Sequence, residues 1–269
     1  NLQRVDYIKL PALAKEPSRG YRGKFLPMAS SDLIDYRKSV LCDTVLHFDP
    51  EIVLVDKAPI GVCGELLPSL RWLRRHRPEV RIIFGMRDIE DSSEATISQW
   101  SEQGIVEALD ECFDEIWVYG VKSIYDVVSE YQLPPVIQNK LSYMGYVTRG
   151  PCSHPKKQTT DPVVLVTVGG GTDGEFLLDH YLGLAADRVA ALGYRSVIVG
   201  GPDLPPATAG QLRRKAESIA GTEWLDFESC MNCRIRSSEL VVSMGGYNTL
   251  CQIVSNRKPA LIVPRTKPR

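Results

Sequence analysis

The 269-residue sequence predicts an α/β protein of two Rossmann-like lobes with mostly parallel sheets. Three observations carry this. Short apolar runs alternate with stretches of helical period along most of the chain. The apolar runs lack polar alternation, which suits strands of a parallel sheet covered on both faces. A polar, proline-bearing segment, TRGPCSHPKKQTTDP at 148–162, interrupts the alternation, which then begins again. The expected organisation is an N-terminal lobe over 1–148, a linker over 149–162 and a C-terminal lobe over 163–269.

The elements follow in order. VDYIKLP (5–11) reads as a strand and is followed by a loop holding Pro17, Gly20 and Gly23. SSDLIDYRKSVLCDTVLHF (30–48) places apolar residues at helical spacing behind a Ser/Asp start. EIVLVD (51–56) is a strand, GELLPSLRWLRR (64–75) a helix, VRIIFGM (80–86) a strand and SSEATISQWSEQ (92–103) a helix. EIWVYG (115–120), SIYDVVSEY (123–131) and LSYMGYV (141–147) give strand, helix and strand. In the second half VVLVTV is a strand, 175–192 a helix, YRSVIVGG a strand, ATAGQLRRKAESIAG a helix and EWLDF a strand. A short helix at 231–237, the strand ELVVSM, the helix NTLCQIVSN and the strand PALIVP complete it.

Composition narrows the function. A formal net charge of −1 gives no electrostatic reason to expect a nucleic-acid partner. The basic run RWLRRHR (71–77) reads first as a solvated helix end, with contact to anionic lipid as the sharper alternative. No apolar run reaches the roughly 18 residues needed to span a bilayer, and the opening NLQRVDYIKLP has no signal-peptide pattern. The opening Asn and the closing TKPR make both ends look truncated. Seven cysteines, an odd number, suit a reducing and hence cytoplasmic compartment. Cys230-Met-Asn-Cys233 has no second ligand pair for zinc, so two ordinary thiols are expected and no metal site.

Two strands of the second half end in glycine turns: VVLVTV in GGGTDG (169–174), and ELVVSM in Gly245-Gly246 before a helix starting near Asn248-Thr249. Glycine lets the backbone approach a ligand closely, and a helix start offers free N–H groups with a positive dipole end. Asn248 or Thr249 could cap that helix or bond a phosphate oxygen instead, and Gln252 lies one turn further on. Two such turns at one sheet edge suggest a diphosphate. Gly169, Gly171 and Gly174 also spell the dinucleotide fingerprint G-x-G-x-x-G. The acidic residue such a site needs at the tip of the next strand is missing, because YRSVIVGG ends in glycine and Asp203 lies beyond a proline. Nicotinamide or flavin use is not expected.

At MGGYNTLCQI joined to KPALIVPRTKPR the sequence resembles the family 28 glycosyltransferases, in particular a bacterial branch of predicted glycosyltransferases. FDPEIVLVDKAPIGVCGELLPSLRWLR, FGMRDIEDS, FDEIWVYG and MGYV extend the resemblance through the first half. The enzyme that adds N-acetylglucosamine to the lipid-linked peptidoglycan precursor is a better-known relative. The resemblance implies a GT-B fold, two lobes facing across a cleft, with the donor nucleotide held mainly by the second lobe and the acceptor mainly by the first. It implies inverting transfer from a UDP-sugar co-substrate, with no cofactor and no essential metal. The acceptor is left open: a small molecule, a glycan or a lipid-linked compound, the last with peripheral contact at the inner membrane face. Gly169, Gly170, Gly171 and Thr172 match the loop facing the donor diphosphate, and Gly246, Tyr247, Asn248 and Thr249 match the second phosphate-facing turn. Gln252 departs from the family, which usually places there a glutamate that accepts from both ribose hydroxyls. The family's glycine-rich N-terminal loop and its donor-binding residues beyond the PR block fall outside this sequence.

Inverting transfer needs a base for the acceptor hydroxyl. Asp88 and Glu65 are the candidates, with Asp56, Lys57 and Arg87 on the acceptor side and Asp91 nearby; Asp56 and Asp88 lie at or just past strand ends. Tyr21, Phe25 and Trp100 could line an acceptor cleft, although core packing suits them as well. A nucleotide-sugar 2-epimerase is the alternative enzyme, disfavoured because none of the four histidines clearly follows a strand end. A degenerate nucleotide-binding protein is the non-catalytic alternative.

Overall fold

The computed structural model describes residues 5–16, 20–148, 150 and 161–264. The chain divides into two units, Asn1–Tyr146 and Val147–Arg269. The expected linker at 149–162 lies almost wholly outside the described residues.

The first unit opens with an antiparallel hairpin of β1 (Leu13–Glu16) and β2 (Gly20–Gly23), followed by α1 (Ser30–Phe48). Then come β3 (Ile52–Asp56), α2 (Leu67–His76), β4 (Arg81–Arg87), α3 (Ser93–Glu102), α4 (Ile105–Cys112) and β5 (Glu115–Tyr119). The short helices α5 (Val127–Glu130) and α6 (Pro135–Gln138) lead to β6 (Leu141–Tyr143). Strands β3, β4, β5 and β6 form a sheet in that order, every pair parallel. Its core gathers Ile82, Phe84 and Met86 from β4, Ile116 and Val118 from β5, and Leu70, Leu73 and Leu109 from the covering helices.

Four differences from the sequence reading have physical causes. VDYIKLP does not form a strand: no described strand pairs with it, and Val5, Tyr7 and Ile8 are exposed. A strand exists through its ladder, and an apolar run alone does not supply one. The predicted loop instead carries β2. Gly104, at φ +62, ends one helix and starts α4, which was missed. The expected 123–131 helix shrinks to α5 because Asp126 takes the N-cap: its carboxylate accepts from the Val128 N–H (3.1 Å) and from the Tyr143 hydroxyl (2.9 Å).

In the second unit, β7 (Val163–Thr167), α7 (Glu175–Leu184), α8 (Ala186–Ala191), β8 (Arg195–Val199), α9 (Pro206–Glu217) and β9 (Thr222–Leu225) alternate. The single helix expected over 175–192 is interrupted at Ala185. Next come α10 (Met231–Ser237), β10 (Leu240–Ser243), α11 (Tyr247–Ser255) and β11 (Ala260–Ile262). The sheet order is β11-β10-β7-β8-β9, all parallel. Alternate residues of its strands enter two separate cores. Val164, Val166, Ile198 and Val242 pack with Leu178, Tyr181 and Leu212. Val163, Leu165, Val197 and Val241 pack with Ile235 and Ile253. A sheet buried on both faces explains why its strands read as unbroken apolar runs.

Candidate functional site

The carboxyl edge of the second sheet is where a doubly wound unit binds ligands. Thr167 and Ser243 are register partners there, closing β7 and β10 side by side. Both are buried, and each hydroxyl accepts the N–H of the glycine two residues on, Gly169 at 3.4 Å and Gly245 at 3.3 Å. Those glycines take left-handed φ values of +67 and +73, which an L side chain rarely adopts. The two turns therefore leave neighbouring strands in the same manner.

The glycines divide by what surrounds them. A Cβ on Gly171 would lie 2.5 Å from the Gly200 carbonyl oxygen, and one on Gly201 would lie 2.5 Å from that of Gly169. One on Gly174 would run into the Val168 side chain. These three glycines let the turns after β7 and β8 interlock, and let α7 close on β7. Gly169 and Gly246 have open space where a Cβ would sit, and at Gly170 only the Asp203 carboxylate comes near, at 3.1 Å. The fingerprint spelled by Gly169, Gly171 and Gly174 is thus two parts internal packing. Asp203 also donates its N–H to the Gly170 carbonyl (2.7 Å), so it braces this turn and does not stand at a ribose position.

Among the described residues, the N–H groups of Gly170, Gly171 and Thr172 donate to no backbone acceptor. Neither α7, after Gly174, nor α11, after Gly246, has a side-chain cap. Asn248 and Thr249 accordingly leave the capping role unfilled. Each helix start presents roughly half a positive charge. Gln252 sits one turn into α11, only 8% exposed, and its side-chain amide bonds to no described residue. Its carbonyl, by contrast, accepts from the Asn256 N–H (3.1 Å) and Nδ2 (2.8 Å). Tyr247 is half-buried in the first turn of the helix.

The first unit places charged residues at the carboxyl edge of its own sheet. Asp56 ends β3 and pairs in register with Gly85. Lys57 follows in a left-handed conformation, φ +68, with its N–H on the Gly85 carbonyl (2.8 Å). Tyr119 of β5 lies over Gly85, where a Cβ would collide with its hydroxyl, and burial together with Asp56 pushes that phenol up. Arg87 closes β4 and donates its N–H to a Glu90 carboxylate oxygen (3.3 Å). Burial pushes the Glu90 carboxyl above the usual range, against the pull of Lys57 and Arg87. Tyr131 ties this loop down, donating to the Asp88 carbonyl (2.9 Å) and accepting from the Glu90 N–H (3.0 Å).

The two expected base candidates fare differently from Glu90. Glu65 is 2% exposed, and one carboxylate oxygen accepts both Arg37 Nη2 (2.6 Å) and Nε (3.2 Å). The other accepts the Cys63 N–H (2.7 Å). Burial alone would raise this carboxyl, but the Arg37 and Cys63 hydrogen bonds and the Arg37 charge hold it below the usual range. A general base works best with its pKa raised toward the working pH. Arg37 also bonds the Pro11 carbonyl (2.6 Å), so Glu65 and Arg37 fasten α1 to the flanking loops. Asp88 is 4% exposed, its carboxylate accepting the Ile89 N–H (2.9 Å) and lying over Gly120. Glu90 escaped the sequence reading although it stands in the same RDIEDS block. Its strand-end position was the available signal, and its burial was not.

The remaining expectations resolve simply. Trp100 is core, tilted against Tyr131, whereas Phe25 is exposed. The basic run is largely paired: Arg71 with Glu111, Arg74 with Asp114, Arg77 with Asp49 and Glu79. No helix among the described residues is long and apolar enough to cross a membrane. Among those residues, no group of three His, Cys, Asp or Glu side chains could hold a metal ion.

Residues 164–268 match the sequence model of the glycosyltransferase family 28 C-terminal domain. No curated protein matches the chain in sequence. Solved structures do match in shape, among them a UDP-GlcNAc 2-epimerase from Neisseria meningitidis bound to UDP-GlcNAc, at TM-score 0.56 and 14% identity. Others are the glycosyltransferase SnogD from Streptomyces nogalater, at 0.55 and 13%, and S. aureus MnaA with UDP, at 0.54 and 13%. The matches cover 89–90% of this chain and 64–66% of those chains, so both units share the GT-B-type fold.

Proposed function

We propose that the protein is a glycosyltransferase that takes a sugar from a nucleotide-sugar, a UDP-sugar, and passes it to an acceptor with inversion and without a metal. The observation that carries this reading is the pair of matched turns on neighbouring strands β7 and β10, each opening into an uncapped helix. N–H groups without a backbone acceptor and two helix starts lie along one edge, which is what a leaving diphosphate needs. Gly169, Gly170, Gly171 and Thr172 receive one phosphate; Gly245, Gly246, Tyr247, Asn248 and Thr249 receive the other. Gln252 supplies its unengaged amide to the ribose.

On the acceptor side, Glu90 is the base. It combines partial exposure with a carboxyl raised by burial, while Glu65 is neutralised by Arg37 and Asp88 is enclosed. Attack opposite the leaving group transfers the hydroxyl proton to Glu90 as the sugar–oxygen bond forms and the diphosphate departs. Asp56, Lys57 and Arg87 orient the acceptor. Two of the structural neighbours carry UDP or UDP-GlcNAc, which supports the choice of nucleotide.

The 2-epimerase alternative finds no histidine at a strand end among the described residues: His47, His76 and His180 lie on helices. Titration calorimetry with UDP tests the donor site, and incubation with UDP-GlcNAc followed by NMR tests the reaction. Binding of UDP with slow release of free sugar is expected. An absence of binding heat, or accumulation of the C2 epimer, contradicts the reading.

A further inference from the structure

After β9, at the start of α10 in the second unit, the segment Cys230-Met-Asn-Cys233 brings two sulfurs together. Cys230 is the N-cap of α10 and Cys233 lies in its first turn, with the Cys233 N–H on the Cys230 carbonyl (3.0 Å). The two Sγ atoms are 2.9 Å apart, with the Cys230 thiol donating. A disulfide bond measures about 2.05 Å, so closure needs a sulfur displacement of less than about 1 Å, within the reach of small side-chain rotations.

The surroundings hold this geometry. Glu228 accepts the Cys230 N–H (3.1 Å) and is itself paired with Arg234 one turn into the helix. Asn232, between the cysteines, accepts from Asn256 Nδ2 of the following helix (2.7 Å). The turn is therefore anchored before the first sulfur, between the two, and after the second. Access differs between them: Cys230 is half-buried, Cys233 only 7% exposed. A more accessible attacking thiol backed by a shielded resolving thiol is the arrangement that thiol–disulfide exchange uses. Two of the other described thiols are poorly placed for it. Cys112 is fully buried and pushed up to about 11 by that burial, and Cys63 is raised by burial and by Glu65.

We propose that Cys230 and Cys233 form a reversible dithiol–disulfide centre that exchanges with low-molecular-weight disulfides. The Cys230 thiolate attacks one sulfur of the small disulfide, whose S–S bond breaks and releases one thiol. Cys233 then attacks the Cys230 sulfur of the mixed disulfide and releases the second thiol. The two protein protons leave on the two released thiols, and two electrons pass from the protein to the small disulfide.

The full-length chain is equilibrated with oxidised glutathione, alkylated and mapped by tandem mass spectrometry. The expected result is an intramolecular 230–233 crosslink, loss of two alkylatable thiols and no retained glutathione there, reversed by dithiothreitol. The Cys233→Ser variant is expected to trap a stoichiometric glutathione adduct on Cys230. Half-buried Cys63 in the same molecule is the internal control. If Cys230 and Cys233 stay alkylatable, or if glutathione collects on Cys63 as readily as on Cys230, the proposal is overturned. The wild-type mapping decides the matter even if the variant fails to fold.

Discussion

Thr167 and Ser243 stand opposite each other at the ends of adjacent parallel strands, and each hydroxyl folds the next turn back through the N–H of a left-handed glycine. Two turns shaped alike on neighbouring strands place two sets of backbone donors side by side. The proposed donor site rests on this pairing, and the glycines of the two turns divide into those that hold the protein together and those that face outward.

Gly171 and Gly201 belong to the first kind. Alanine at either combines a left-handed φ with a Cβ 2.5 Å from a carbonyl oxygen. Each substitution is expected to lower unfolding free energy by about 1–3 kcal/mol or more, read from urea midpoints at unchanged m-value.

Gln252→Glu restores an acceptor-only side chain. Charge-assisted hydrogen bonds exceed neutral ones by about 1 kcal/mol, so UDP affinity measured by calorimetry should rise roughly fivefold. The free protein should lose stability, because a carboxylate now sits at an 8% exposed position without a partner. Unchanged UDP affinity would refute the ribose assignment.

Glu65→Gln separates a clamp from a base. Its carboxyl is held below the ordinary range, so its contribution to stability is present above the unfolded pKa and disappears as pH falls through the folded one. The substitution strands Arg37 and should cost about 3 kcal/mol near neutral pH, with the gap from the parent closing in acid. Turnover per folded molecule should be preserved.

Glu90→Gln has the opposite signature. A carboxyl raised by burial adds stability below its unfolded pKa and loses it as pH climbs through the folded one. The variant should therefore be more stable than the parent at neutral pH and converge with it below about pH 4. Its transfer rate should drop by about 10²–10⁴ with UDP affinity unchanged. Retained turnover would remove Glu90 from the mechanism.

Much of the architecture was readable because it depends on short-range pattern. The runs at 80–86 and 163–168 are apolar on both sides of the pleat since both sides are covered, whereas the run at 51–56 leaves Ile52 and Leu54 exposed. The turn glycines at 169–171 and 245–246 were legible as turns for the same local reason. What stayed hidden depends on partners distant in sequence. VDYIKLP has strand composition but no strand beside it. The start of α5 depends on Tyr143, which reaches Asp126 from 17 residues away. Glu65 reads from the sequence as a candidate base because nothing there marks Arg37, 28 residues earlier, as its partner. The letters of the fingerprint did not reveal that Gly171 and Gly174 answer to Gly200 and Val168.

Gly246→Ala tests the central claim most directly. Gly246 has ordinary φ −60 and open space around its missing Cβ, so alanine fits the free protein without strain. The methyl group would stand where a phosphate must approach the backbone. Calorimetry should show UDP binding weakened at least tenfold, about 1.4 kcal/mol, with thermal stability equal to or slightly above the parent. UDP binding at parental strength in a stable Gly246→Ala protein would contradict the account.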